Sequence, residues 1–287
     1  MRKTAWILAL TMLAPALVAM GQEPVTPSNM PPQDNSAQAG LTTHAKKKKQ
    51  EVHLKPFSRL ALGGGVGLGG INLQAATNVN RYLNVRGTGN VFDYTVNNIT
   101  VSNFNVNGKV NFATGGVALD YFPFPSHGFR LSPGVLFYNQ NQITATGVGT
   151  AGSSISLNSI KYYSETADPL MLNAALGLNT RKQAATFTTG WGNMIPRKGG
   201  HWAFPFEFGA AFTGVPGISL GLTGYGCTTQ TDAGIYTGAG GSCVNMGTNT
   251  TAQNNINAQV TKWQSDLNAL QVYPIVSFGV SYSFPIR

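Results

Sequence analysis

The chain has 287 residues and a formal net charge of +9, yet only 10% of its residues are charged and 42% are hydrophobic. Soluble proteins carry roughly 25% charged residues, so much of this surface is not expected to face bulk water. No stretch after the N-terminus has the ~18 consecutive apolar residues of a transmembrane helix. Because unpaired backbone groups cannot be satisfied in lipid, a membrane protein without such a helix must be a closed barrel.

The N-terminal residues 1–21, MRKTAWILALTMLAPALVAMG, are typical of a secretory signal peptide. Arg2 and Lys3 form a basic start, a mostly apolar run follows, and Ala19 begins a small-residue cleavage site. The alternative interpretation is a buried N-terminal helix. Export to an oxidising compartment also explains the only two cysteines, Cys227 and Cys243, which we expect to form a disulfide across a mobile loop.

Residues 22–56 are rich in Pro, Gln, Ser and Lys and have no hydrophobic period, which predicts a disordered periplasmic linker. Lys46 to Lys49 form the single basic cluster of the chain. We interpret this cluster as part of a solvated tether, with attraction to anionic lipid headgroups as the alternative. A nucleic-acid partner does not match an exported chain.

From residue 57 to residue 287 the pattern changes to short alternating segments separated by Gly-, Asn- and Thr-rich stretches, which predicts an all-β domain. The eight predicted strands span approximately residues 58–65, 69–77, 82–93, 103–122, 128–144, 171–192, 201–223 and 272–284. The large residues of the clearest segments share one face without charge, and the charged residues share the other face with small ones. This sorting predicts a closed antiparallel transmembrane barrel with lipid outside.

The predicted connections alternate in length, as expected of outer-membrane barrels with short periplasmic turns and longer extracellular loops. The turns at 78–81 and 123–128 are short, whereas the polar stretches 94–102, 145–170 and 224–270 are longer. Dividing 58–77 near Leu68 gives this pattern. Alternatively 58–77 is one strand and NTRK (179–182) divides 171–192, which also gives eight strands.

One segment before the last strand has a helical period. NNINAQVTKWQSDLNALQ (254–271) spaces its apolar residues at intervals of four and three, on one helix face. These residues are Ile256, Val260, Trp263, Leu267 and Leu270. We expect this amphipathic helix to pack over the barrel mouth, with partner binding and contact of Trp263 with the membrane interface as alternatives.

The last strand alternates without a break between large apolar and small residues. The apolar set is Val276, Phe278, Val280, Tyr282 and Phe284, and the small set is Ser277, Gly279, Ser281 and Ser283. With the signal peptide and the other alternating strands, this ending resembles the small outer-membrane β-barrels of Gram-negative bacteria, of the OmpA/OmpW type. The resemblance implies that Tyr282 and Phe284 belong to the C-terminal strand that the barrel-assembly machinery recognises, although Pro285, Ile286 and Arg287 extend the chain beyond the usual final Phe.

Four charged residues are predicted to face the lumen: Arg86, Asp120, Arg130 and Glu207. An eight-stranded barrel leaves an interior just wide enough for side chains, and charges there must pair or remain hydrated. Asp120 and Arg130 flank the short turn 123–128 and should be cross-strand neighbours. We expect an ion-pair network that fills the lumen, with a gated polar conduit as the alternative.

The sequence does not favour an enzyme. Ser126 and Ser132 lie near His127, and Asp120 could orient that histidine, but turn geometry and exposure make this an accidental arrangement. The glycine-rich run 63–70 lies in a strand pattern without the helix or GK[ST] of a phosphate loop. We expect no cofactor and no metal, since two cysteines without a nearby histidine are too few ligands.

The sequence therefore predicts a monomeric, non-enzymatic outer-membrane barrel with a mostly filled lumen and a structural or surface-interaction role. Its expected partners are outer-membrane lipid and the assembly machinery, and the sequence does not identify an extracellular partner. A narrow channel for small or hydrophobic solutes is the main alternative, and a lipid-modifying enzyme is a remote one.

Overall fold

The structure, a computed structural model, describes residues 55–101, 103–150, 152–197 and 200–286. The predicted signal peptide and all but the last two residues of the predicted linker lie outside the described residues. Among the residues that are described, no helix is long and apolar enough to cross a membrane.

The described chain is mostly β-strand, with two helices. In chain order the strands are β1 (Arg59–Gly67), β2 (Gly70–Asn78), β3 (Leu83–Val101), β4 (Phe104–Tyr121), β5 (Arg130–Asn139), β6 (Gln142–Gly149), β7 (Ser154–Leu157), β8 (Ile160–Ser164), β9 (Met171–Gly177), β10 (Ala184–Trp191), β11 (Trp202–Ala203), β12 (Phe206–Ala211), β13 (Gly217–Thr223), β14 (Tyr225–Cys227), β15 (Cys243–Asn245) and β16 (Tyr273–Pro285). The helices are α1 (Gln230–Ile235) and α2 (Thr250–Leu267).

Eight strands form a closed antiparallel ring, in the order β4-β3-β2-β1-β16-β12-β10-β5, with β5 pairing back to β4. The first ring strand, β1, pairs along its whole length with the second part of β16, from Arg59 opposite Pro285 to Gly67 opposite Ser277. The short strand β11 adds to β16 just before β12 begins, because Pro205 interrupts the ladder between them.

The two ends of the ring differ in their connections. We call the end where β1 begins and β16 ends the near end, and the opposite end the far end. The near end has short connections at 79–82 and 122–129 and a longer one that begins at residue 192. The far end has the tight β1–β2 turn and the long insertions between β5 and β10 and between β12 and β16.

The strand β4 changes partner along its length. Its second half, from Thr114 to Tyr121, pairs with β5 in the ring, whereas its first half, from Phe104 to Asn111, pairs with β6. The sheet thus continues beyond the ring at the far end through β3, β4, β6, β9 and β13, a part that we call the outer sheet.

The outer sheet has its own hydrophobic core. Helix α2 begins after Asn249, whose Oδ1 accepts a hydrogen bond from the backbone N–H of Ala252, as expected of an N-cap. Ile256 is buried against Leu222 of β13 and Leu170. A small sheet of β15, β14, β8 and β7 adds Leu157 and Tyr162 to this core. The predicted helix therefore exists and starts a turn earlier than expected, and it packs chiefly on β13 and β7.

Several predicted strand boundaries were wrong because the chain leaves the ring for the outer sheet. The predicted strand 171–192 is β9 and β10, and the predicted strand 201–223 is β11, β12 and β13. The stretches 94–102 and 145–170, predicted as loops, contain the end of β3, the end of β6 and the strands β7 and β8.

Both turns that the sequence offered as alternatives are present. The β1–β2 turn has two residues and ends at Gly70, whose φ of 93° is a left-handed conformation that favours glycine. The NTRK stretch, 179–182, lies in the connection between β9 and β10. The structure thus divides both 58–77 and 171–192.

Candidate functional site

The ring interior contains the charged cluster that alternation places there. Arg86 lies on β3, Asp120 on β4, Arg130 on β5 and Glu207 on β12. Each is at an inward position between outward apolar neighbours, and each side chain is nearly or fully buried. Ring closure brings Glu207 to the arginines although β12 is far from β3 in sequence.

The cluster is continuous and balanced in charge. Arg86 Nε lies 3.0 Å from Asp120 Oδ2, and Arg86 Nη2 lies 2.6 Å from Glu207 Oε2. Arg130 Nη2 donates to the same Glu207 oxygen at 2.7 Å. Ser132 Oγ donates to Asp120 Oδ1 at 2.6 Å. Two guanidinium groups thus neutralise two carboxylates across the lumen, which is the condition under which buried charges are tolerated.

A segment at the near end fills the lumen below this cluster. We call residues 192–197 the plug. Met194 and Ile195 are fully buried against Ala61 of β1 and Ala76 of β2. The wall residues are small, so that two large side chains from another segment fit inside a narrow ring.

Hydrogen bonds tie the plug to both the wall and the cluster. Asn84 Nδ2 donates to Asn193 Oδ1 at 2.9 Å, and Asn84 Oδ1 accepts from Arg197 Nη2 at 2.7 Å. Arg130 Nη1 donates to the carbonyl of Gly192 at 2.7 Å. One arginine therefore links the charged cluster to the plug.

The lumen on the far side of the cluster is not fully packed. It contains a cavity of about 60 Å³, whose lining includes Arg86, Glu207, Thr88, Thr188 and Asn90. Hydroxyl and amide groups predominate among its polar neighbours. At ~10–15 Å³ per water, this space can hold a few water molecules or a very small polar solute.

The C-terminal strand lies as its alternation implies. The side chains of Ser277, Ser281 and Ser283 are buried inside the ring. Phe278, by contrast, is 56% exposed on the outer surface. The other large outward residues of this strand, Val276, Val280, Tyr282 and Phe284, share the outer face with Phe278.

The two cysteines lie outside the ring, and the four residues considered for catalysis are divided between the charged cluster and an exposed turn. Cys227 and Cys243 pair across β14 and β15 and form a disulfide outside the ring. Ser126 and His127 contact each other at an exposed turn, whereas Asp120 and Ser132 bond to each other inside the ring. The structure therefore does not bring the four residues together. No group of three or more His, Cys, Asp or Glu residues among the described residues could hold a metal ion.

The plug is the element that the sequence did not predict. Its segment, GNMIPR, lies in the stretch between two predicted strands, where an adjacent Met194 and Ile195 between polar residues was the available signal. A pair of large apolar residues in a connection is expected to pack inside the ring or against another segment, because exposing both to water is unfavourable.

No family model matches the chain, and no curated protein matches it. Two solved structures from Acinetobacter baumannii are similar. The CarO crystal structure is 18% identical, with 81% of this chain and 99% of that chain covered and a TM-score of 0.50. The CarO2 crystal structure is 14% identical, with 80% of this chain and 100% of that chain covered and a TM-score of 0.51. At these identities the likeness concerns the fold.

Proposed function

We propose that this chain is an integral outer-membrane β-barrel whose lumen is closed, with a structural or surface-interaction role at its far end. The observation that carries the proposal is the ring itself, which is apolar outside and blocked inside by the charged cluster and the plug. The fold likeness to CarO supports it.

The outer surface of the ring is suited to lipid. Large apolar residues on several strands are highly exposed, for example Leu73 at 61%, Phe137 at 59% and Phe278 at 56%. In water such a belt would be an association hazard. In a bilayer each of these side chains has hydrocarbon as its solvent, and the closed ring leaves no unpaired backbone edge.

Planar-bilayer recording tests the closed lumen. We expect the folded protein to insert without steady single-channel openings, whereas an open porin inserted by the same procedure conducts. Folding is checked by gel migration, because a compact barrel migrates differently before and after boiling. Steady openings from the heat-modifiable form would refute the closed barrel.

Surface labelling tests the location and the orientation. A peptide tag inserted after Gly238, in the loop that the disulfide closes, should be accessible to antibody on intact cells. The same tag inserted in the near-end turn at Ser126 should be accessible only after the outer membrane is broken. Equal access to both tags, or to neither, would contradict the proposal.

A narrow channel for small solutes is the second candidate, and the cavity beside Arg86 and Glu207 favours it. This interpretation requires the charged cluster and the plug to open. The conductance experiment separates it from the closed barrel.

A further inference from the structure

The wall beneath the plug is more polar than the plug that covers it. The Oγ atoms of Ser281 and Ser283 are buried and have no hydrogen-bond partner within the protein. The Met194 methyl group lies on the same side of the lumen as Ser281. A Cβ atom placed on Gly63 would be 3.1 Å from Met194 Cε and 2.9 Å from Ser281 Cβ. Buried hydroxyls without partners are costly, and water would satisfy them if the plug withdrew.

The plug also holds an arginine in an unfavourable place. Arg197 Nε and Nη1 are buried without a hydrogen-bond partner within the protein. Burial, together with the nearby positive charges of Arg59 and Arg81, lowers the pKa of Arg197 to about 10. Withdrawal into water would hydrate this guanidinium and separate the like charges, so the closed position carries a cost that the open position lacks.

The plug has a suitable pivot where it leaves β10. Gly192 has a φ of 87°, and a Cβ at this position would be 2.5 Å from the carbonyl oxygen of Phe204. Glycine accesses many backbone conformations that other residues cannot adopt, so the direction of the chain can change here without disturbing the β10 ladder. The Gly192 carbonyl is also the atom that Arg130 holds.

We infer that the plug is a gate, which swings about Gly192 between a closed position inside the ring and an open position at its near end. In the open position the lumen wall at Ser281 and Ser283 is wet, while the charged cluster still blocks the lumen above it. This gate goes beyond the proposed closed barrel by assigning a conformational change to the plug. It rests on the proposed function only in assuming that lipid surrounds the ring.

Cysteine accessibility tests the gate. The protein has only two cysteines, and both are in the disulfide, so a new cysteine is the only thiol. Ser281→Cys lies beneath the plug, and Ser277→Cys, on the same face of β16 but lining the cavity beyond the cluster, is the matched control. Both are treated with a charged, water-soluble thiol reagent in detergent micelles, and the unfolding rate is measured separately from gel migration.

We expect Ser281→Cys to be labelled much faster than the protein unfolds. Adding Ile195→Ala, which removes part of the contact that holds the plug, should raise that rate by at least about tenfold, because opening becomes easier. The Ser277→Cys rate should not change. A disulfide between Asn84→Cys and Asn193→Cys, whose native side chains are hydrogen bonded, should reduce Ser281→Cys labelling to the unfolding rate.

Labelling of Ser281→Cys only at the unfolding rate would overturn the gate, as would a rate that Ile195→Ala leaves unchanged. If the Asn84→Cys/Asn193→Cys disulfide does not form, the gate is tested by the Ser281→Cys labelling rates with and without Ile195→Ala. The labelling uses micelles and a folded ring, so its failure leaves the proposed function intact. Failure of the conductance or tagging experiments leaves the gate intact.

Discussion

Replacing Arg86 with methionine tests how the charged cluster stabilises the ring. Methionine keeps much of the side-chain volume but removes the positive charge that lies 3.0 Å from Asp120 and 2.6 Å from Glu207. Arg130 alone then faces two buried carboxylates. Removing one partner of a buried ion pair typically costs ~3–5 kcal/mol, so we expect Arg86→Met to lower the free energy of unfolding by about that amount.

An exposed ion pair provides the matched control. Lys109 Nζ lies 3.0 Å from Asp93 Oδ2, the same separation as in the buried pair, but both side chains are 50% exposed. Exposed pairs contribute ~0–1 kcal/mol, so Lys109→Met should have a small effect. The double variant Arg86→Met/Glu207→Gln restores charge balance and should recover part of the loss.

Urea titration of the protein in lipid vesicles measures these free energies, with tryptophan fluorescence and gel migration as independent readouts. Equal effects of Arg86→Met and Lys109→Met would refute a special cost of breaking the buried pair. A lower stability of the Arg86→Met variant after adding Glu207→Gln would refute it as well, because the penalty would then not arise from uncompensated charge.

Three further predictions concern the outer surface and the disulfide loop. Phe278→Lys should destabilise the ring in vesicles by ~2–4 kcal/mol if it faces the bilayer midplane. Ile235→Lys on α1, where the side chain is 68% exposed against 56% for Phe278, should change stability by less than ~0.5 kcal/mol; equal effects would contradict a lipid-facing belt. Reducing the Cys227–Cys243 disulfide should increase proteolysis between the two cysteines and leave the heat-modifiable gel band of the folded ring unchanged. Loss of that band would instead show that the loop supports the ring. Hydrogen bonds from Ser242 lower the pKa of Asp232 below its ordinary value. The stability that ionised Asp232 gives to the loop is therefore full above the unfolded pKa of ~3.9 and is lost as pH falls through the folded pKa. Asp232→Asn should make proteolysis of the loop insensitive to pH in that range.

The ring strands could be predicted because a closed ring with an apolar outer surface requires a strict alternation. Outward residues are large and apolar and those in a narrow lumen are small or paired, so the alternation of β16 was visible without a structure. The same rule predicted the inward positions of Arg86, Asp120, Arg130 and Glu207. Their mutual contacts depend on ring closure, which brings β12 beside β16 and across from β3.

The outer sheet could not be predicted in the same way. The end of β6 lies in the polar stretch 145–170, which resembled a loop, whereas β9 and β13 were predicted as parts of ring strands. Nothing in the amino-acid composition of β4 marks the point where its partner changes from β6 to β5. The strand continues through that point without a break, so the edge of the ring is defined only by which strand β4 is hydrogen bonded to.

The plug could not be predicted because its residues are apolar without a period. Met194 and Ile195 are adjacent and therefore match neither a strand face nor a helix face. The small residues Ser281 and Ser283 were predicted to be inside, but their smallness was attributed to a narrow lumen alone. The structure adds a second reason, since they make room for the plug.

The pairing of β1 with β16 has a consequence for the order of assembly. These strands are the first and last of the described chain, so the contact that closes the ring has nearly the largest possible sequence separation. Such contacts form slowly, because the conformational entropy of joining distant segments is lost before the new contacts lower the free energy. Until β16 is in place, β1 and β12 are open edges that invite pairing with other chains. We therefore expect the polypeptide to travel as an unclosed sheet, and the final strand to convert it, in one late step, into a cylinder that a bilayer can surround.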